Sequence, residues 1–342
     1  MRPDLHHHGD VEARGMLDFA VNVAVPAPPT FVLDALRPAL DHLATYPDPT
    51  ECTTHLATHL GVDPERLLLT NGVAEAFHLI ARARPWTHPV VVHPQFTEPD
   101  TALLAAGVEA HWFDCPPPRF DLDVNAFEEA HAGADLVIVG NPTNPTSRLH
   151  PAADLLRLRR PGRLLVVDEA FLDVVPREQD TLLRHAAAGE GVLVLRSLTK
   201  TFGLAGLRAG FVVGEPRWIE ALGERQPHWS VNSLALAAVT ACASAAGVDH
   251  VARVADEVAR HRPHLVDGLT TLGFDVVAQP AAPFVLARHP RAAALRAGLR
   301  DAGIAVRRAD TFPGLDDTWI RVAVRPPEVT DVLLTALRRE IP

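Results

Sequence analysis

Residues 192–214 read VLVLRSLTKTFGLAGLRAGFVVG, and the way this stretch is punctuated points to the fold. Val192, Leu193, Val194 and Leu195 form an unbroken apolar run, the pattern of a parallel strand buried on both faces. The run ends in polar residues, Arg196-Ser197-Leu198-Thr199, and then a lone lysine, Lys200. Four glycines follow, Gly203, Gly206, Gly210 and Gly214, with Arg208 among them. A strand released into serine, lysine and arginine among glycines can hold an anion. Glycines let backbone amides approach a phosphate, Ser197 supplies a hydroxyl donor, and Arg208 supplies a two-pronged cation. The plainer alternative is a strand-end lysine in solvent beside glycines that only turn the chain, since most lysines are solvated.

The same grammar recurs upstream. Residues 66–70 form a short strand, Asn71-Gly72 turns it, and Val73, Phe77 and Ile80 give a helical stripe at i, i+4, i+7. A glycine turn at a helix N-terminus can seat a phosphate, because free amides and the helix dipole point at the anion. Such turns are common, so the signal alone is weak; the amides of Val73 and Ala74 are the candidates. Val90-Val91-Val92 precedes Pro94-Gln95-Phe96, where an aromatic at a strand end is ordinarily a packing residue. Residues 136–139, LVIV, run into Gly140-Asn141-Pro142-Thr143-Asn144-Pro145-Thr146, whose Asn-Pro pairs force a turn. Residues 164–167, LLVV, end in Asp168-Glu169-Ala170-Phe171. A carboxylate closing an apolar strand is costly to bury without a positive partner, so Asp168 is either a ligand for a cation or a helix N-cap. Alternating strands and helices from about residue 47 to 231 imply an α/β doubly wound, mostly parallel sheet with its ligand at the strands' C-terminal ends.

Composition narrows the function. The chain has 342 residues, 47% of them apolar, enough for a sizeable core in one large domain or two. A net charge of −10 argues against a general nucleic-acid grip, which needs a basic face. No stretch approaches a membrane span, and the N-terminus lacks the basic-then-apolar layout of a signal peptide, so cytoplasm is the expected compartment. Cys52, Cys115 and Cys242 are few, odd in number and widely spaced, which suggests neither a disulfide framework nor a metal site.

Ser197, two residues, Lys200, then Arg208 eight positions on is a pattern that resembles the cofactor-lysine segment of fold-type I pyridoxal-phosphate enzymes, the aspartate aminotransferase superfamily. SLTKTFGLAGLRAG is most similar to the branch holding histidinol-phosphate aminotransferases and the threonine-phosphate decarboxylases of cobalamin synthesis. The resemblance covers nearly the whole chain and implies pyridoxal 5'-phosphate as cofactor, carried on Lys200. It also implies that Ser197, Arg208 and the Val73 and Ala74 amides hold the phosphate, and that Phe96 stacks on the ring. Asn144 would bond the ring's phenolic oxygen, with Ser147 replacing the motif's glycine. Asp168, with Ala170 beside it, would keep the ring nitrogen protonated and so make the ring an electron sink. Tyr46, the only tyrosine, would reach the cofactor phosphate of a partner subunit, implying a homodimer with shared sites.

The substrate side resembles the branch less closely. LDFAVNVAVPAPP (residues 17–29) retains Asn22 as a substrate neighbour but carries Ala24 and Ala27 where the branch has Asn and Gly. His7, in His6-His7-His8, falls on a substrate histidine of the decarboxylases, although a tag fragment or a plain arm reads equally well. Residues 319–325, WIRVAVR, alternate: Trp319, Arg321, Ala323 and Arg325 share one face and Ile320, Val322 and Val324 the other. The bland reading is two arginines on a solvated face. The resemblance makes Arg321 the clamp for a substrate carboxylate, and Arg325 on the same side could serve a substrate phosphate. Residues 1–46 are read as an arm with part of a small domain, 47–235 as the large cofactor domain, and 236–342 as the small α+β domain.

Phe171 stands where aminotransferases usually have tyrosine. With the HHGD start and the WSVN at residues 229–232, it tilts the expectation toward decarboxylation of threonine phosphate. Transamination of histidinol phosphate or a related amino compound is the alternative. A pyridoxal-phosphate-binding protein without turnover is the reading from another class.

Overall fold

The computed structural model describes residues 13–178 and 180–341; His7 therefore lies outside the described residues. After β1 (Leu17–Phe19), the larger sheet is built from β2 (Leu67–Thr70), β3 (Pro89–His93), β4 (His111–Asp114), β5 (Leu136–Gly140), β6 (Leu164–Asp168), β7 (Val192–Ser197) and β8 (Gly210–Val213). Its order is β2-β8-β7-β6-β5-β3-β4. The pairs among β3 to β7 are parallel, whereas β8 runs antiparallel to both β7 and β2. The glycine-rich segment joining β7 to β8 holds no helix that could carry a parallel crossover, so the chain turns straight back.

Period-two alternation splits each central strand between two cores. Val137, Val139, Leu165, Val167, Val192 and Val194 face one; Leu136, Ile138, Leu164, Val166, Leu193 and Leu195 face the other. Each such side chain contributes about 1.5–3 kcal/mol by leaving water, which is why these runs carry no polar residue until their last positions. The helix Val73–Ala83 buries Val73, Phe77 and Ile80 on the second face, the stripe expected from their spacing. In register, Gly140 lies opposite Asp168 and Asp168 opposite Leu195, so β5, β6 and β7 release their polar ends along one edge.

The smaller sheet comprises β9 (Asp275–Val276), β10 (Phe284–Arg288), β11 (Ile304–Arg308) and β12 (Trp319–Ala323), in the order β1-β11-β12-β10-β9. The N-terminal β1 joins it parallel to β11, pairing Leu17 with Ile304 and Phe19 with Val306. Phe19, Val285, Ile320 and Val322 pack against Leu295, Leu299, Leu333 and Leu337 from the helices Ala292–Asp301 and Pro327–Glu340. The alternation in β12 holds, but its second face is not solvated. Trp319 is buried in the larger sheet's core and Arg321 is 4% exposed. Among the described residues no single helix is long and apolar enough to cross a membrane.

Candidate active site

A cavity of about 470 Å³ opens where the ends of β5, β6 and β7 meet the smaller sheet. That volume is in the range of about 300–1,000 Å³ that small-molecule sites occupy. Lys200, which lines it, is the only lysine among the 342 residues. Main-chain contacts fix the segment carrying it: the Ala24 N–H donates to the Lys200 carbonyl at 2.9 Å. The next residue, Thr201, donates its hydroxyl to Asp173 at 2.5 Å and its carbonyl pairs with His250 Nε2 at 2.9 Å. Ala24 therefore reaches the lysine through its backbone, a contact that tolerates the missing asparagine. Gly203 has φ +67°, and a Cβ there would lie 2.9 Å from the Ala27 carbonyl carbon, so the chain past the lysine packs tightly on residues 27–28.

Asp168 closes β6 and lines the same cavity. Its Oδ1 accepts the Ala170 N–H at 3.1 Å, while only a turn and a short 3-10 segment, Leu172–Val174, follow. The helix N-cap reading therefore does not hold. Burial pushes its carboxyl from 3.8 up to about 7, against the pull of the Ala170 N–H and the Lys200 charge. A cationic N–H placed before it would reverse that penalty.

An anion cradle stands beside these two groups. Val73 and Ala74, the first two residues of their helix, line the cavity together with Ser197, Thr199 and Arg208. Gly72 has φ 77° and ψ 166°, a conformation confined to glycine, and a Cβ on it would sit 2.6 Å from an Arg208 guanidinium nitrogen. A Cβ on Gly210 would lie 3.0 Å from the Val73 nitrogen. The two glycines thus let Arg208, β8 and the helix N-terminus converge. Arg208 itself holds φ 58°, a left-handed conformation sustained by this packing. Glu75 accepts the Asn71 N–H at 2.7 Å and fixes the turn.

Phe96, Phe171 and Ala170 line the wall, and Phe171 packs edge-on against Phe284 at 5.0 Å, in keeping with a residue that has no hydroxyl to offer. Asn144, 9% exposed, accepts a hydrogen bond from Arg321 through Oδ1. That leaves its Nδ2 as the donor for a ligand oxygen. Ser147, in the motif's glycine position, does adopt the left-handed φ of 62° that glycine favours, and its hydroxyl accepts the Ala282 N–H at 2.8 Å. Strain of about 1–2 kcal/mol is thereby set against a buried hydrogen bond.

On the smaller sheet's side, Arg321 also donates to the Ala20 carbonyl, and its guanidinium lies over the Phe284 ring at 5.0 Å. Arg307 on β11 stands directly opposite it in register and donates to Thr311 Oγ1 at 2.7 Å. Burial, reinforced by the Arg307 and Arg325 charges and opposed by Asp18, pulls Arg321 down to about 9, a penalty that an anion placed against it would reverse. Asn22 lines the cavity as expected. Arg325 does not. It lies beyond the end of β12 and its guanidinium donates to the carbonyls of Asp18, Val21 and Val23 at 2.9–3.0 Å, so it braces the N-terminal strand rather than serving a substrate phosphate. Tyr46 is 72% exposed, stacked on Trp229 at 4.3 Å, and lines a separate surface groove. The sequence reading overlooked Arg307, Phe312 and Glu98, all in the cavity wall. No sequence signal marked the first, because its pairing with Arg321 appears only in the register of the folded sheet.

The chain's single lysine, an acid whose carboxyl is pushed up at a strand end, backbone amides beside a guanidinium, and an aromatic wall fit pyridoxal 5'-phosphate in its aldehyde, ring nitrogen, phosphate and ring respectively. The sequence pattern of the aminotransferase class I and II family matches residues 14–337. A histidinol-phosphate aminotransferase of Mycobacterium bovis is 46% identical over 326 residues, covering 94% of this chain and 87% of the relative. The solved histidinol-phosphate aminotransferase of Sinorhizobium meliloti, in complex with pyridoxal-5'-phosphate, has a TM-score of 0.85 at 23% identity and covers 98% of this chain and 94% of that one. The L-threonine-O-3-phosphate decarboxylase of Porphyromonas gingivalis has a TM-score of 0.81 at 23% identity, over 94% of this chain and 98% of that one. At such identities the solved structures establish the fold alone. The 46% relative weighs for the aminotransferase alternative and against the preference for decarboxylation.

Proposed function

The chain belongs to the aminotransferase class I and II family, and from that membership we propose that it is a pyridoxal-5'-phosphate-dependent aminotransferase acting on a phosphorylated amino compound, histidinol phosphate before the others. The cofactor, when bound, supplies an aldehyde for the amine and a ring that accepts the electron pair released at the substrate carbon. Lys200 would hold the cofactor and would move a proton at the substrate carbon next to the amine. Asp168 would accept the N–H of the ring nitrogen, and Asn144 would donate Nδ2 to the ring oxygen. Ser197, Arg208 and the amides of Val73 and Ala74 bind the phosphate.

One observation carries the choice of substrate. Among the described residues, the arginines lining the cavity away from the phosphate cradle are Arg307 and Arg321, a facing pair that makes one anion clamp. Histidinol phosphate brings one anionic group to such a clamp and has no carboxylate to lose. Threonine phosphate brings two, and Arg325, the candidate for the second, is engaged with backbone carbonyls. The proposal includes a cytoplasmic home, suited to three free buried cysteines, and a homodimer in which the exposed Tyr46 meets the partner's cofactor.

The test loads the protein with pyridoxal 5'-phosphate and supplies histidinol phosphate with 2-oxoglutarate, then threonine phosphate alone. Glutamate from the first mixture is expected. Carbon dioxide from the second, without glutamate from the first, would restore the decarboxylase; neither product would favour binding without turnover.

A further inference from the structure

We propose that Glu98 sets the substrate specificity of this cavity, its carboxylate accepting the ring N–H of an imidazole, or another N–H donor of like reach, on the substrate's side chain. The proposal rests on the aminotransferase reading and adds the residue that recognises the part of the substrate taking no part in the chemistry.

The two walls of the cavity differ in sign. The smaller sheet contributes Arg307 and Arg321, whereas the segment after β3 contributes Phe96, Thr97 and Glu98. Among the described residues, the acidic side chains in the wall are Asp168 and Glu98. Asp168 has its task at the ring nitrogen; Glu98 has none in amine or proton transfer. Its side chain is only 17% exposed, and Oε1 is held by His78 Nε2 at 3.0 Å. A carboxylate has about four acceptor positions, so the His78 contact anchors the group and leaves capacity for a ligand.

Covering a carboxylate with substrate is costly unless the substrate returns a donor. A substrate with a phosphate for the arginines, an amine for the lysine site and an N–H for Glu98 meets all three demands. One ending in a methyl group leaves Glu98 desolvated and unanswered, and a site built around a hydrogen bond rejects such an analogue more strongly than an apolar pocket would. The competing explanation is local: Glu98 opens the helix Glu98–Ala105, where a negative charge is favourable in its own right. That role affects stability and is blind to the substrate.

Glu98→Gln separates the two, since it keeps the shape and an oxygen for His78 but removes the charge. The measurement is kcat/KM for histidinol phosphate and for alaninol phosphate, which has the same amine and phosphate with a methyl in place of the imidazolylmethyl group, in both proteins. Glu98→Gln is expected to lower the histidinol phosphate value about 10- to 100-fold, mainly through KM, and to change the alaninol phosphate value by less than about 3-fold. Equal changes for both substrates, or none for either, would overturn the proposal while leaving the aminotransferase reading intact. A wild-type protein that transfers no amino group from histidinol phosphate would defeat that reading first, and this proposal with it.

Discussion

Gly72 offers a way to separate what the phosphate cradle does for the fold from what it does for the cofactor. Replacing it with alanine imposes two penalties. The backbone at φ 77° and ψ 166° lies in a region that side chains occupy at a cost of about 1–3 kcal/mol. The new Cβ would also sit 2.6 Å from an Arg208 guanidinium nitrogen, so the guanidinium must swing away from the cradle. Losing a charge-assisted contact of about 1.5–3 kcal/mol weakens phosphate binding about 10- to 100-fold. Urea unfolding of Gly72→Ala without cofactor should therefore show a loss of about 1–3 kcal/mol, survivable for a domain holding about 5–15 kcal/mol. Titration with pyridoxal 5'-phosphate should show the affinity loss separately. Arg208→Ala should reproduce that affinity loss without the backbone penalty, and the double variant should bind no worse than Arg208→Ala alone, because both changes remove one interaction. Wild-type affinity in Gly72→Ala, or affinity losses that simply add in the double variant, would refute the account of the cradle.

Two other perturbations have definite signs. Asp168 has a folded-state pKa raised from 3.8 to about 7, so its contribution to stability is complete below the unfolded value and is lost as pH rises through about 7. Asp168→Asn should remove one downward contribution to the stability of the cofactor-free protein between about pH 4 and 7, so that its stability-against-pH slope lies above that of wild type there, and should weaken cofactor binding; a slope matching wild type would contradict it. At Ser147, glycine relieves about 1–2 kcal/mol of left-handed strain but orphans the buried Ala282 N–H at about 1–3 kcal/mol, whereas alanine keeps the strain and loses the bond. Thermal melts should rank the three Ser, Gly, Ala from most to least stable, and a glycine variant more stable than wild type would show that strain dominates.

The central strands were legible because residues 136–139, 164–167 and 192–195 stay apolar until the position where the site begins, a pattern that burial on both faces enforces. The ligand ends of those strands were legible for the same reason: Asp168 and Ser197 are polar where the core stops. Arg325 was misjudged because alternation tells which face a residue takes but not where the strand ends, and β12 ends at Ala323. Arg307 was missed because an arginine near a strand end ordinarily reads as solvated; only the pairing with Arg321 turns it inward. Glu98 was hidden by its position, since an acid in a helix's first turn needs no other explanation. The choice between breaking Cα–H and Cα–carboxylate depends on how the substrate lies against the ring, and Phe171 was too slight a signal to decide it.

Because Lys200 is the chain's only lysine, one chemical measurement reaches the central claim directly. The protein loaded with pyridoxal 5'-phosphate is reduced with borohydride, digested, and its peptides weighed. The account requires the reduced cofactor's mass on the peptide containing Lys200, with Lys200→Arg losing both the label and the yellow colour. A label on the N-terminal amine, or a Lys200→Arg protein that still fixes the cofactor, would contradict it.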